Sequence, residues 1–206
     1  EGQSFLHVQN EAKSLPSDWE SQVKNQIKKR YARQVLGLQS NRSVEIKMAE
    51  CGYTEEMLAC LPHEVLGAFS GCGNPISLLE LTGSEVVVDL GCGGGIDSLL
   101  AGQLINNGLV ISVDFTSEFL ELLGRYAKSH PIKLVNADLE HLPLVKHTAD
   151  IVMSNAVFNL TTDKEKAYAE AFRILKPGGK LVMFDLILDK NLPREVLEDP
   201  LAYTTS

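Results

Sequence analysis

A chain of 206 residues, 44% of them hydrophobic, can bury one core of ordinary domain size, and it holds no apolar run approaching the eighteen or so residues a membrane span requires. Its 19 basic side chains against 27 acidic ones leave a formal net charge of −8, which argues against a nucleic-acid partner, because phosphate binding draws on a basic surface. The first residues lack the basic-then-apolar order of a secretory leader, so the expected setting is cytoplasmic, with no membrane association.

In chain order, residues 1–16 are polar and aperiodic and read as a loose tail. Ser17-Asp18-Trp19-Glu20 has the form of a capping box, in which the hydroxyl and the Glu20 carboxylate satisfy early helix donors reciprocally. Trp19, Val23, Ile27, Tyr31 and Val35 follow at intervals of four, a stripe that must pack against something, and Gly37 is a fitting stop. The basic run Lys28-Lys29-Arg30 with Arg33 reads as the solvated face of that helix. One or two helical turns are expected over Gly52-Tyr53-Thr54-Glu55-Glu56-Met57-Leu58-Ala59, then a short segment from His63 to Phe69. Residues 17–80 are thus expected to form a helical cap on a core spanning 81–188.

That core opens on the strongest signal in the chain. Val86, Val87, Val88 and Leu90 read as a strand buried on both faces, and Ile96, Leu99, Leu100 and Leu104 share one face of a helix. Between them lies Asp89-Leu90-Gly91-Cys92-Gly93-Gly94-Gly95. Glycine at 91 and 93 permits positive φ and lets the backbone approach a ligand more closely than a side chain would allow, while the helix start aims free N–H groups at the same place. Cys92, inside the turn, is small enough for the space beside a ligand. A dinucleotide turn needs G-x-G-x-x-G, but the sixth position is Ile96 counted from Gly91 and Ser98 counted from Gly93, so a nicotinamide cofactor fails in both frames. Asp-x-Gly-x-Gly with the acid at the strand end resembles instead the S-adenosylmethionine (SAM) turn of class I methyltransferases. An acid there repels a pyrophosphate yet holds an ammonium or hydroxyl group, directly or through water. The alternative is a tight strand-to-helix connection with no ligand.

A second apolar run, 109–114, ends in Asp114, placed to accept hydrogen bonds from both hydroxyls of a ribose, with Phe115 beside it. The competing reading makes Asp114 an acid at a helix start capped by Thr116 or Ser117. After the short run 132–135 comes Asn136-Ala137-Asp138-Leu139, where Asp138 resembles the acid that takes the adenine amino group in class I methyltransferases, next to Leu139. Strand 149–155 ends in Asn155, facing the methionine moiety or the substrate. Pro177-Gly178-Gly179 is expected to end a helix before a strand near 180–187. Helices near 96–106, 117–129 and 163–175 alternate with these strands as a parallel sheet requires. The expected fold class is therefore α/β, Rossmann-like, a parallel sheet flanked by helices. Its final strands read as missing, since residues 189–206 offer at best a short helix at Leu192-Pro193-Arg194-Glu195-Val196-Leu197, and with Glu1 in place of an initiator Met the chain reads as a piece of a longer one.

Taken together, Gly52-Tyr53-Thr54-Glu55-Glu56, Gly71-Cys72-Gly73-Asn74-Pro75, the glycine turn, Val113-Asp114-x-Thr116, Ser154-Asn155-x-Val157-x-Asn159-Leu160, Asp163-Lys164 and Leu192-Pro193 resemble the arsenite SAM methyltransferase family over roughly residues 50–200. The resemblance implies a SAM cofactor and a small-molecule methyl acceptor. It also implies that the stretch carrying Tyr31 and the stretch of Gly73 and Asn74 lie near SAM.

One departure stands out. Trivalent arsenic is thiophilic, and the family binds it through cysteine thiolates from three parts of the chain. One of those lies inside Ser-Asn-Cys-Val, where this chain has Ala156; another lies past residue 200; Cys51 stands near the first. A methyl group cannot ligate arsenic. The four cysteines, at 51, 60, 72 and 92, include no C-x-x-C pair, and no metal site is expected. His7, His63, His130, His141 and His147 are scattered, and no catalytic residue is assigned. Three readings follow: a small-molecule methyltransferase with a changed acceptor, a SAM-binding module without turnover, and an arsenite methyltransferase whose remaining thiols lie outside this chain.

Overall fold

The computed structural model describes residues 18–36, 42–190, 193, 196 and 199–202. The expected tail, Ser17 of the capping box, Gly37 and most of the 192–197 segment lie outside these residues.

Helix α1 (Trp19–Leu36) carries the four-residue stripe as predicted: Val23 and Ile27 are sealed off from solvent, Trp19 and Tyr31 nearly so, and Lys28, Lys29, Arg30 and Arg33 are exposed. Burying Val23 and Ile27 alone contributes about 1.5–3 kcal/mol each toward docking the helix. Helix α2 (Arg42–Glu50) has no counterpart in the sequence reading; Met48 alone among its described side chains is buried, too little for a periodic signal. Helix α3 (Glu55–Ala59) starts where Thr54 accepts from the Met57 amide, and α4 (His63–Gly67) follows.

Five strands, β1 (Val86–Leu90), β2 (Leu109–Asp114), β3 (Ile132–Asn136), β4 (Ala149–Asn155) and β5 (Leu175–Phe184), form one sheet in the order β3-β2-β1-β4-β5. Every pairing is parallel. Between strands run α5 (Ile96–Leu104), α6 (Ser117–Tyr126) and α7 (Lys164–Ile174). Successive residues of β1 feed opposite cores, as the two-residue period of a strand demands: Val87 packs with α1, α5 and α6, and Val88 and Leu90 pack with Ala167, Ala171 and Ile174 of α7. The Rossmann-like architecture expected from the alternation of elements is the observed one.

Two boundaries differ from the sequence reading. Pro177-Gly178-Gly179 does not terminate α7, which has ended at Ile174; the segment lies inside β5, where pairing jumps from Ala149↔Leu175 to Ile151↔Lys180. A bulge tolerates a proline because its missing N–H breaks no ladder bond there. The strand also closes at Phe184 rather than near 187. Among the described residues β5 pairs with β4 alone, so its outer edge is unpaired.

Candidate functional site

The strand order reverses between β1 and β4: β1 to β3 proceed outward on one side, and the chain then returns to lay β4 on the other. In open parallel sheets the crevice above the carboxyl ends of the strands at such a switch receives ligands. A cavity open to solvent occupies that crevice, with about 990 Å³ of empty space when the part that merges with bulk water is counted. It is bounded by the ends of β1, β2 and β4 below, by the loop after β3 on one side, and by Ile27 and Tyr31 of α1 across the top.

The glycine turn is built as the sequence indicates. Gly91 and Gly93 hold φ of +72° and +50°, and the Gly91 and Cys92 amides donate to the Val113 carbonyl, locking the turn onto the end of β2. A Cβ at Gly93 would meet nothing within 4 Å, so the backbone there faces open cavity. Asp114 lines the cavity, and its carboxylate accepts the Gly93 amide at 2.9 Å and the Thr116 amide at 2.8 Å. Thr116 makes no side-chain cap bond to α6, so the turn at the head of that helix is held by Asp114.

Three aspartates converge here with little solvent. Asp89 accepts from the Ser98 hydroxyl at 2.6 Å, and Ser98 in turn meets the Ser112 hydroxyl at 2.6 Å. Asp97, in the first turn of α5, accepts from the Tyr53 hydroxyl at 2.7 Å and the Asn155 amide at 3.2 Å. Burial pushes all three carboxyls up from the usual range; the Asp97 charge adds to the rise at Asp89, and amides of Thr116 and Gly93 restrain it at Asp114. A carboxyl raised in the folded state binds a proton that the unfolded chain releases near pH 4, so its contribution to stability is present in acid and lost as pH climbs. The free protein should therefore melt at a lower temperature at pH 8 than at pH 5.5, and Asp97→Asn should flatten that slope. A slope unchanged by the substitution, followed by differential scanning calorimetry, would clear this cluster of responsibility.

Of the residues singled out from sequence, Tyr31, Asp89, Gly91, Cys92, Gly93, Asp114, Phe115, Asp138, Leu139 and Asn155 all line the one cavity. Gly73 and Asn74 do not. Gly73 is pressed against Phe184, where an added Cβ would come within 2.1 Å of the ring, and Asn74 spends its amide on the Gly52 carbonyl and its oxygen on the Ser77 amide. Asn155 reaches the wall, yet its side chain serves the protein: its oxygen accepts from Cys72 and Gly73 amides, and its nitrogen donates to the Gly73 carbonyl at 2.7 Å and to Tyr53 and Asp97. It clamps the 71–73 segment to the end of β4. Cys51 and Cys72 are half-buried, and burial pushes both thiols up. Ala156 lines the cavity with φ of +60°, held by its amide donating to the Phe184 carbonyl.

Sequence reasoning missed Asp97, Lys24 and Glu140. Asp97 looks like any acid in the first turn of a helix, and two of the three partners of Lys24, Asp138 and Glu140, lie more than a hundred residues away. The cavity chemistry is lopsided: Asp89, Asp97, Asp114, Asp138 and Glu140 face it against Lys24 alone among the described charged residues. Such a site disfavours a pyrophosphate and suits a cationic ligand.

A family model for the methyltransferase domain matches residues 88–183. The arsenite methyltransferase of Halobacterium salinarum is 33% identical over 134 residues, covering 63% of this chain and 34% of that protein. The arsenite methyltransferase of Aquipseudomonas alcaligenes is 32% identical over 179 residues, covering 78% of this chain and 51% of that protein. Among solved structures, CrArsM, an arsenic(III) S-adenosylmethionine methyltransferase from Chlamydomonas reinhardtii, superposes with a TM-score of 0.63 at 34% identity, over 71% of this chain and 52% of that one. The fold is that of class I SAM-dependent methyltransferases, and the glycine turn falls inside the matched methyltransferase domain. Within that class the chain stands close to the arsenite methyltransferase family, and it spans about half the length, or less, of the curated relatives it matches.

Proposed function

We propose that this chain binds SAM in the crevice at the end of β1 and supports methyl transfer to a small-molecule acceptor of soft, nucleophilic character. The observation that carries the reading is the convergence of buried Asp89, Asp97 and Asp114 with the glycine turn on one cavity. SAM bears a sulfonium and an ammonium, so its net cationic form matches a cavity of carboxylates. In this reading Asp114 accepts the ribose hydroxyls, Asp138 the adenine amino group with the Leu139 backbone beside it, and Phe115 and Tyr31 flank the nucleoside. Asp89 holds the ammonium end, directly or through water, and Gly93 admits the ligand close to the backbone. Residues 17–80 serve as a cap, with α1 walling the adenine end over the 81–188 core.

When bound, SAM supplies a methyl group on a good leaving group. The task left to this chain is to hold an acceptor in line with that methyl and to exclude water. Among the described residues no histidine lines the cavity, and Asp89, Asp97 and Asp114 each already accept hydrogen bonds. That supports an acceptor bringing its own lone pair, thiol-like, arsenical or carbanionic, over an oxygen or amine needing a general base. Titration calorimetry with SAM and S-adenosylhomocysteine, followed by trivalent arsenic on the same sample, tests the reading. Micromolar SAM binding supports it, and the absence of binding to either nucleoside overturns it.

Ala156 favours a changed acceptor over an arsenical one, because the wall position at the end of β4 carries no thiol. Ala156→Cys puts a thiolate on that wall. If the site retains arsenical geometry, its affinity for trivalent arsenic should rise at least about tenfold, the equivalent of one additional strong contact. Affinity no better than the parent's would remove arsenite from the candidate acceptors at this site and leave the changed-acceptor and non-catalytic readings.

A further inference from the structure

The adenine end of the cavity is crossed by a charged network that the sequence places far apart. Lys24, on α1, sends its Nζ to Asp138 at 2.8 Å, to Glu20 at 2.7 Å and to Glu140, whose sequence separation from it is 116. Glu140 is the unusual member. Its side chain is 1% exposed, and its second oxygen accepts three further bonds, from the Thr162 amide at 2.8 Å, the Thr162 hydroxyl at 2.9 Å and the Asp163 amide at 3.0 Å. The Asp138 carboxylate, in turn, receives the Glu140 amide at 2.9 Å through its other oxygen. Burial alone would lower the Lys24 ammonium, but bonds to Asp138, Glu140 and Glu20 outweigh it and hold the group above its ordinary value. Burial likewise opposes ionisation of Glu140, and the bonds it accepts from Lys24, the Asp163 amide and Thr162 outweigh that and hold its carboxyl below the usual range.

An exposed ion pair would be worth little, since solvent screens it and two flexible chains must be ordered. This one is different in two respects. Glu140 is out of contact with water, so its charge depends on Lys24, and Asp138 has its Oδ2 fixed by the same ammonium. Through this one side chain α1 is tied to the loop that follows β3. The residues one and two turns further along the helix, Ile27 and Tyr31, form the cavity roof.

We propose that Lys24 is a positioning residue for the adenine end of the cofactor site: it sets the orientation of the Asp138 carboxylate and, through Glu140, holds the α1 roof over the adenine. The inference rests on the SAM reading above and extends it to a residue outside the glycine turn, Asp114 and Asp138. Lys24 does not touch the reacting centre. Its effect is confined to the nucleoside, so a ligand retaining adenine and ribose but lacking the amino-acid tail must feel its loss as strongly as SAM does.

The test compares SAM, S-adenosylhomocysteine and 5′-methylthioadenosine by titration calorimetry on the parent, Lys24→Arg, Lys24→Met and the double variant Lys24→Met/Glu140→Gln, with amide hydrogen exchange across residues 19–35 as a readout that needs no ligand. Lys24→Met is expected to weaken all three ligands by about tenfold, the worth of one charge-assisted contact, and to speed exchange in α1. Lys24→Arg should restore most of the affinity, because a guanidinium can serve both carboxylates. The double variant buries no unpaired carboxylate, so it guards against simple unfolding; it should bind as weakly as Lys24→Met. Parent-like affinity in the folded double variant, or a loss for SAM that spares 5′-methylthioadenosine, overturns the inference while leaving SAM binding intact. A parent that binds none of the three overturns the SAM reading, and the inference falls with it.

Discussion

Asp114→Ala is expected to weaken SAM binding by about ten- to hundredfold, the equivalent of roughly 1.5–3 kcal/mol for charge-assisted hydrogen bonds to the two ribose hydroxyls. The substitution has a second consequence that must be kept apart from the first. The carboxylate also accepts the Gly93 and Thr116 amides, so its removal loosens the glycine turn and the head of α6. Asp114→Asn separates the two. It keeps an acceptor for one amide, and it relieves the burial that pushes the Asp114 carboxyl up. The asparagine variant should therefore melt close to the parent without ligand and yet lose most of the affinity. Retained affinity in both variants, measured by calorimetry, would move the ribose elsewhere in the cavity.

The second large effect is expected at Gly91. With φ at +72°, a side chain costs about 1–2 kcal/mol in backbone strain alone. The new Cβ would also lie 2.4 and 2.5 Å from the two methyls of Val157, a β-branched side chain with little freedom to turn away. Overpacking of this kind adds about 1–3 kcal/mol. Gly91→Ala should thus lose about 2–5 kcal/mol, a large part of the stability of an ordinary domain, in urea unfolding. Gly93→Ala makes the contrast. Its φ is also positive, but its Cβ would enter open cavity, so most of the fold should survive while cofactor binding fails. If Gly91→Ala were as stable as the parent, the close packing of the turn against the loop after β4 would be wrong.

The parts of this fold that were legible in sequence are those whose partners are close along the chain or whose burial is periodic. β1, β2 and β4 match their expected bounds residue for residue because two-sided burial leaves continuous apolar runs. The α1 stripe is legible for the same kind of reason. Where sequence and structure part, the causes are physical. Pro177-Gly178-Gly179 has the composition of a helix stop, and only the pairing with β4 reveals it as a bulge. Gly73 and Asn74 came from resemblance rather than from local chemistry, and both turn out to shape the segment that Asn155 clamps. Asp97, Lys24 and Glu140 are ordinary helix and loop charges until the tertiary structure brings them to the cavity. Residues acting through long-range contacts leave no pattern within a sequence window.

The contact between Lys24 and Glu140 also bears on the order in which the chain acquires its shape. Closing a loop of 116 residues from an unfolded chain costs about 4 kcal/mol in entropy. Once β1, β2 and β3 have paired, the same closure spans a rigid body and costs far less. Docking α1 onto a sheet that has already paired is therefore the less costly order. The apolar stripe of α1 finds its seat earlier in the chain than the Lys24 anchor does, because Tyr31 packs against Phe119 of α6.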